Sequence, residues 1–240
     1  MRTLSILIPC YNEAPYIAAV LENIIRAPLQ YPLEKEIVVV DDGSADNSFA
    51  IIQQIQQAYP GTRILAFRQD KNRGKGAAIQ KAIELCSGEI AIVQDADFEY
   101  DPADYNRLLR PVMEGHADVV YGSRFVGGEA HRVLFFFHTI GNKFLTFLSN
   151  LFSQLNLTDM ETGYKLFRTE YLRRLRLKEK GFGFEPEVTA KISKIKGIRI
   201  YEVGISYFGR TYSEGKKIGW KDGIYTIYCI FRYNLFGRRP

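Results

Sequence analysis

Two pairs of carboxylates stand directly behind short apolar runs in this chain: Asp41-Asp42 after Glu36 to Val40, and Asp95-Ala96-Asp97 after the run that ends at Gln94. Carboxylates at i and i+2 just beyond a strand project the same way. Asp95 and Asp97 could therefore hold a hard divalent cation that also binds diphosphate oxygens. The structural alternative is a solvated turn that opens a helix at Asp101-Pro102. Arg73-Gly74-Lys75-Gly76 places glycines and cations at the start of a helical pattern, where backbone N–H groups and the helix dipole favour an anion. Alternatively the two glycines only shape a turn and the lysine is solvated. A dinucleotide fold would need a GxGxxG turn after the first strand, which ends in Pro9-Cys10-Tyr11-Asn12-Glu13, but no glycine precedes Gly43. No GxxxxGK[ST] occurs either, which removes P-loop chemistry.

The elements that must position these residues are legible as an alternation. β-branched runs at Thr3 to Pro9, Glu36 to Val40, Thr62 to Phe67, Glu89 to Val93 and Asp118 to Tyr121 are separated by helical patterns. These run over Ala14 to Arg26, Ala45 to Tyr59, Gly74 to Cys86 and Pro102 to Glu114. Such a series predicts an α/β fold with a mostly parallel sheet, helices on both faces, and ligands beyond the carboxyl ends of the strands. Asp41, Asp42, Asp95 and Asp97 then share one rim. After about residue 123 the alternation stops. A helical stripe follows over Val133 to Leu155, then a helix over Pro186 to Lys194, a strand or hairpin over Ile198 to Phe208, and an amphipathic aromatic helix over Ile218 to Phe236. No internal repeat or linker divides the chain, so a single domain is expected over residues 1–240.

At 240 residues and 46% hydrophobic, the chain can fill the core of one such domain. Cys10, Cys86 and Cys229 form no CxxC or Cys/His cluster and read as buried, reduced thiols of a cytosolic chain. The N-terminus reads as a first strand and not as a signal peptide, and no apolar run approaches the roughly 20 residues of a spanning helix. The net charge of +5 is concentrated at the C-terminal end, where Arg210, Lys216, Lys217, Lys221, Arg232, Arg238 and Arg239 face only Glu214 and Asp222. A basic, aromatic end on a neutral body points to an anionic surface or ligand. No nucleic-acid-binding motif accompanies it, so no nucleic-acid partner is expected.

The motifs IPCYNE (Ile8 to Glu13), VVDDGSADNS (Val39 to Ser48), NRGKGAA (Asn72 to Ala78), QDADFEYDP (Gln94 to Pro102) and YGSRF (Tyr121 to Phe125) occur in an order and spacing that resembles the family 2 glycosyltransferases. DMETGYKLFR (Asp159 to Arg168), FGFEPEVTAKI (Phe182 to Ile192) and ISYFGRTYSEGKKIGWKDG (Ile205 to Gly223) are similar to the branch that contains dolichyl- and polyprenyl-phosphate mannosyl- and glucosyltransferases. The resemblance implies a GT-A fold in which residues 1–125 bind the nucleotide sugar and residues 126–240 form the acceptor and membrane-interface half. It implies that Pro9, Tyr11, Glu13 and Asp42 contact the nucleoside with Lys75 nearby, and that Asp95 and Asp97 hold Mg²⁺ or Mn²⁺ with the donor diphosphate. The Arg73/Lys75 region would neutralise the departing diphosphate, Arg124 would bind the acceptor phosphate, and Asp159 would shape the acceptor end.

The expected activity is metal-dependent, inverting transfer of a hexose from a donor such as UDP-glucose or GDP-mannose to a polyprenyl or dolichyl phosphate. Transfer to a saccharide hydroxyl would instead need a carboxylate base among Asp159, Glu161, Glu185 and Glu187. A non-catalytic nucleotide-sugar or lipid-binding module is the third reading. The expected place is the cytoplasmic face of a membrane, with the Val133 to Leu155 segment and the basic C-terminal end lying on the surface. Members of the branch continue into transmembrane helices and this chain ends at Pro240, which leaves open a separate membrane-anchoring subunit.

Overall fold

Side-chain alternation divides the first strands between two cores. In β1 (Arg2–Cys10), Leu4, Ile6 and Ile8 enter one core and Leu7 the other; in β2 (Leu33–Asp41), Ile37 and Val39 join the first while Val38 and Val40 join the second. Strands that are apolar on both faces must be covered on both. The chain continues through β3 (Arg63–Arg68), β4 (Ile90–Val93), β5 (Val119–Ser123), β6 (Lys165–Arg168) and β7 (Ile200–Gly204). Helices α1 (Ile17–Arg26), α2 (Ser48–Ala58) and α4 (Tyr105–Met113) cover the first face. The second face carries α3 (Lys75–Leu85), α6 (Thr169–Arg174) and α7 (Phe184–Ile192). This computed structural model describes residues 2–127, 132–133, 136–209 and 219–237.

The seven strands form one sheet in the order β3-β2-β1-β4-β6-β5-β7. Every pairing is parallel except those of β6, which runs antiparallel between β4 and β5. The expected α/β architecture is therefore present, with two differences in its second half. The run Lys165–Arg168 is a central strand where the sequence showed no alternation. Residues 198–208 supply the single strand β7, parallel to β5, so the hairpin alternative is set aside.

The last two long helices are α5 (Phe136–Ser153) and α8 (Trp220–Leu235), joined in part by an edge-on contact of Phe152 with Phe231. α5 is inside out. Its fully buried positions are Thr146 and Ser149, whereas Phe137 (82% exposed), Ile140, Phe144, Phe147 (63%) and Leu151 (60%) recur at helical spacing on the open side. The inner polar stripe is used. Thr146 Oγ1 accepts the Met160 N–H at 3.1 Å, and the Asn150 side chain bonds both N–H and C=O of Leu157. α8 buries Cys229, Ile230 and Tyr233 and leaves Ile224, Tyr228, Phe231 and Leu235 exposed. Among the described residues no helix is long and apolar enough to cross a membrane. Leu134, Phe135, Arg210, Lys216, Lys217, Arg238 and Arg239, which the sequence placed on the membrane-facing segments, lie outside the described residues.

Candidate active site

The parallel strands β1, β2 and β4 deliver their carboxyl ends to one rim, and a cavity of about 690 Å³ opens above it. Pro9, Tyr11, Glu13, Asp42, Lys75 and Asp95 line the cavity. His138, Asn142 and Leu145 of α5, Asp222, Gly223 and Thr226 at α8, and Arg124, Glu161 and Glu185 also line it. The lining thus draws on residues both before and after position 125.

The turn of Asp42 is built for close approach. Gly43 has φ +70°, and a Cβ there would lie 2.6 Å from the Lys71 carbonyl carbon, so only glycine lets the Asp42 loop meet the loop before α3. Asp42 then grips that loop: its carboxylate accepts Gln69 Nε2 at 2.8 Å and the N–H groups of Arg73 (2.8 Å) and Gly74 (2.7 Å). Burial pushes the Asp42 carboxyl up and these N–H donors pull it down, with a net rise. Two corrections to the sequence expectation follow. The anion expected at the start of α3 is met internally by Asp42, and the Arg73 side chain is exposed and does not line the cavity, so Arg73 contributes through its backbone.

Lys75 does enter the cavity. Its ammonium lies 2.8 Å from Asp95 Oδ1 and 3.3 Å from Glu185 Oε1. Burial opposes that charge, but the two carboxylates outweigh it and hold the ammonium above its ordinary pKa. Glu185 Oε2 continues the chain to Lys165 at 3.0 Å, a fully buried lysine that also donates to the Thr162 carbonyl. Asp97 is buried, with Oδ1 accepting the Glu99 N–H at 3.1 Å.

Arg124 and Asp159 are brought together. Arg124 Nε and Nη2 each donate to an Asp159 carboxylate oxygen at 2.7 Å, and the guanidinium stacks 5.1 Å from the Tyr207 ring centroid. Asp159 is wholly buried and is not part of the cavity wall, where the sequence placed it; it reaches the cavity only as the partner of Arg124. Of the four carboxylates offered as bases, Glu187 is structural, accepting the Lys178 and Glu179 N–H groups and pairing Lys191 at 2.6 Å. Glu161 differs from all of them. It lines the cavity, its Oε1 is buried without a hydrogen-bond partner, and burial, reinforced by Glu185, pushes its carboxyl up to about 7 against the pull of Lys165 and Arg124.

Sequence reasoning missed Lys165, Tyr100 and the cavity faces of α5 and α8. Lys165 sits in a four-residue strand whose flanking charges read as surface. Tyr100 accepts the Gly163 N–H at 2.7 Å and stacks on Tyr164, a contact visible only after β6 is placed beside β4.

Of the two expected metal ligands, Asp95 lines the cavity and the buried Asp97 does not. Among the described residues no group of three or more His, Cys, Asp or Glu gathers into a cage. Two carboxylates alone suit a hard ion whose remaining positions are filled by diphosphate oxygens and water, and Lys75 shows that the Asp95 carboxylate takes a cation from the cavity side.

The chain is 27% identical to UDP-N-acetylglucosamine–dolichyl-phosphate N-acetylglucosaminyltransferase of Methanococcus voltae, over 98% of this chain and 97% of that one. It is 28% identical to dolichol-phosphate mannosyltransferase of Pyrococcus furiosus, over 89% of this chain but 60% of the relative. Glucosyl-3-phosphoglycerate synthase from Mycobacterium tuberculosis, solved with Mn²⁺, UDP and its product, has the same fold: TM-score 0.70 at 19% identity, covering 97% of this chain and 80% of that one. The family described as Glycosyl transferase family 2 matches residues 5–176, from within β1 through β6 and with the rim carboxylates, and the chain belongs to that family.

Proposed function

We propose that this nucleotide-sugar glycosyltransferase transfers its sugar, with inversion, to a polyprenyl or dolichyl phosphate at the cytoplasmic surface of a membrane. The observation that carries the reading is the inside-out helix α5. Its outward phenylalanines continue into the cavity wall through Phe137, His138 and Asn142, so an apolar surface leads directly to the rim carboxylates. A lipid tail would follow that surface while its phosphate reaches Arg124. Both relatives named above are described as acting on dolichyl or dolichol phosphate, which agrees with this acceptor class.

In this reading residues 1–125 bind the donor and residues 126–240 the acceptor. Pro9, Tyr11, Glu13 and Asp42 frame the nucleoside. Asp95 and Asp97 would hold Mg²⁺ or Mn²⁺, which when bound neutralises the diphosphate leaving group. Lys75, held between Asp95 and Glu185, adds a fixed positive charge beside it. Arg124, locked in place by Asp159, orients the acceptor phosphate. A phosphate oxygen attacks the anomeric carbon, the new C–O bond forms on the face opposite the departing nucleoside diphosphate, and the electron pair of the broken bond leaves with that diphosphate. The attacking oxygen is already anionic, so no base is needed.

The competing reading, transfer to a saccharide hydroxyl, would need a carboxylate base, and Glu161 is the candidate that lines the cavity and has a buried oxygen without a hydrogen-bond partner. The deciding experiment offers UDP-N-acetylglucosamine, UDP-glucose and GDP-mannose, each radiolabelled, with polyprenyl phosphate or an oligosaccharide as acceptor. Lipid-extractable label that depends on the phosphate is expected. Label in the oligosaccharide alone would defeat the reading.

A further inference from the structure

Among the described residues, the charged groups nearest Glu161 are each paired, whereas its own Oε1 has no hydrogen-bond partner. Arg124 is bidentate on Asp159, Lys75 sits between Asp95 and Glu185, and Lys165 is on Glu185 and the Thr162 carbonyl. Glu161 borders the same space with Oε1 buried and unpaired. An ionised carboxylate left in that position would be desolvated without compensation, whereas a neutral carboxyl carries a proton that it can donate. We propose that Glu161 bears this proton and donates it as a hydrogen bond to a phosphate oxygen of the acceptor, which makes it a specificity-determining residue for phosphate acceptors beside Arg124.

The inference rests on the phosphate-acceptor reading above. Asp159 already neutralises Arg124, so an ionised Glu161 would meet the incoming phosphate as a like charge in a partly dry site. Protonation removes that repulsion and supplies an O–H···O⁻ bond, among the stronger hydrogen bonds available to a protein. The groups that face Glu161 are Glu185 from α7, Lys165 from β6, Arg124 after β5 and Asp159 in its own loop. Lys75 of α3 and Asp95 after β4 are linked to it through Glu185. Burial and the Glu185 charge keep Glu161 protonated up to about pH 7, and Lys165 and Arg124 oppose them. A base for a hydroxyl acceptor would have to start unprotonated, so the two roles differ in where the proton rests before reaction.

The test measures the KM for polyprenyl phosphate from pH 6 to 8.5, with saturating nucleotide sugar and divalent metal, in the wild-type chain, E161Q and E185Q. In the wild type the acceptor KM should rise by up to ~30-fold across this range as the neutral fraction of Glu161 falls. In E161Q it should be several-fold higher at pH 6, since an amide is the weaker donor, and then stay flat. The ionisation of the acceptor phosphate itself affects both proteins alike. In E185Q the rise should move to lower pH, because the Glu185 charge favours the protonated form; this result stands even if E161Q folds poorly. A KM rise of equal steepness in E161Q would overturn the inference while leaving the acceptor reading intact. Loss of kcat at every pH with an unchanged acceptor KM would make Glu161 a base and also overturn it. Transfer by the wild type to an oligosaccharide and not to polyprenyl phosphate would remove both.

Discussion

Asp159 holds Arg124 in place at the cavity without lining the cavity itself. The pair is nearly dry, and removal of one member leaves the other charge uncompensated. Breaking a buried pair this way costs about 3–5 kcal/mol, more than the pair itself contributes relative to an apolar replacement. Arg124→Ala should therefore lower stability to urea by about that amount, because Asp159 is fully buried and has nowhere to turn. Asp159→Ala should cost less, since a freed guanidinium can extend into the cavity on its long stem. The double variant should be more stable than Arg124→Ala alone. Both single variants should raise the acceptor KM and leave the donor KM within about twofold. Strict additivity of the two destabilisations would show that the carboxylate and guanidinium are independent, and a raised donor KM would move Arg124 to the other substrate.

At the level of elements, α5 separates what periodicity reveals from what it conceals. The spacing of Phe137, Ile140, Phe144 and Leu151 was readable in the sequence as an apolar stripe, but a stripe does not say what covers it. Here Thr146 and Asn150 of the polar stripe are bonded to the loop at Leu157 to Met160, and the apolar stripe is left open. β6 was hidden for the opposite reason. Lys165-Leu-Phe-Arg has charges at both ends, and only the pairing of Lys165 with Glu185, twenty residues on, makes a buried lysine tolerable. The rim carboxylates and Lys75 were legible because strand ends locate themselves once β1, β2 and β4 are recognised, whereas the cavity faces of α5 and α8 depend on helix packing. If α5 lies in a bilayer interface, Phe144→Ser with Phe147→Ser should leave the melting temperature nearly unchanged, as surface substitutions do. Sedimentation with anionic liposomes should fall at least ~tenfold, given about 1.5–3 kcal/mol for each buried aromatic side chain. Lys221 and Arg232 on α8 add an electrostatic component that high salt should weaken. A large loss of melting temperature with unchanged sedimentation would identify the stripe as a protein contact.

On the scale of the whole molecule, the cavity is lined both by residues at the strand ends before position 125 and by residues of α5, α7 and α8. A ligand that touches both sets must stabilise the fold as a unit, because neither set forms the cavity alone. Among the described residues no three His, Cys, Asp or Glu side chains gather to hold a metal, so a divalent ion by itself would find too few protein oxygens to bind tightly. Mn²⁺ alone should therefore shift the melting temperature little. A nucleoside diphosphate with Mn²⁺, at about a hundred times its Kd, adds about 2.7 kcal/mol, which for a chain of this size is a rise of about 5–10 °C. Running UDP and GDP side by side identifies the base, since the frame of Pro9, Tyr11 and Glu13 should accept one and give a much smaller shift with the other. In Asp97→Ala the metal-dependent part of the rise should vanish while the melting temperature of the free protein changes little, and transfer activity should be lost with it. An equal rise in excess chelator would place the diphosphate on Lys75 and the backbone alone, and the role assigned to Asp95 and Asp97 would have to be withdrawn.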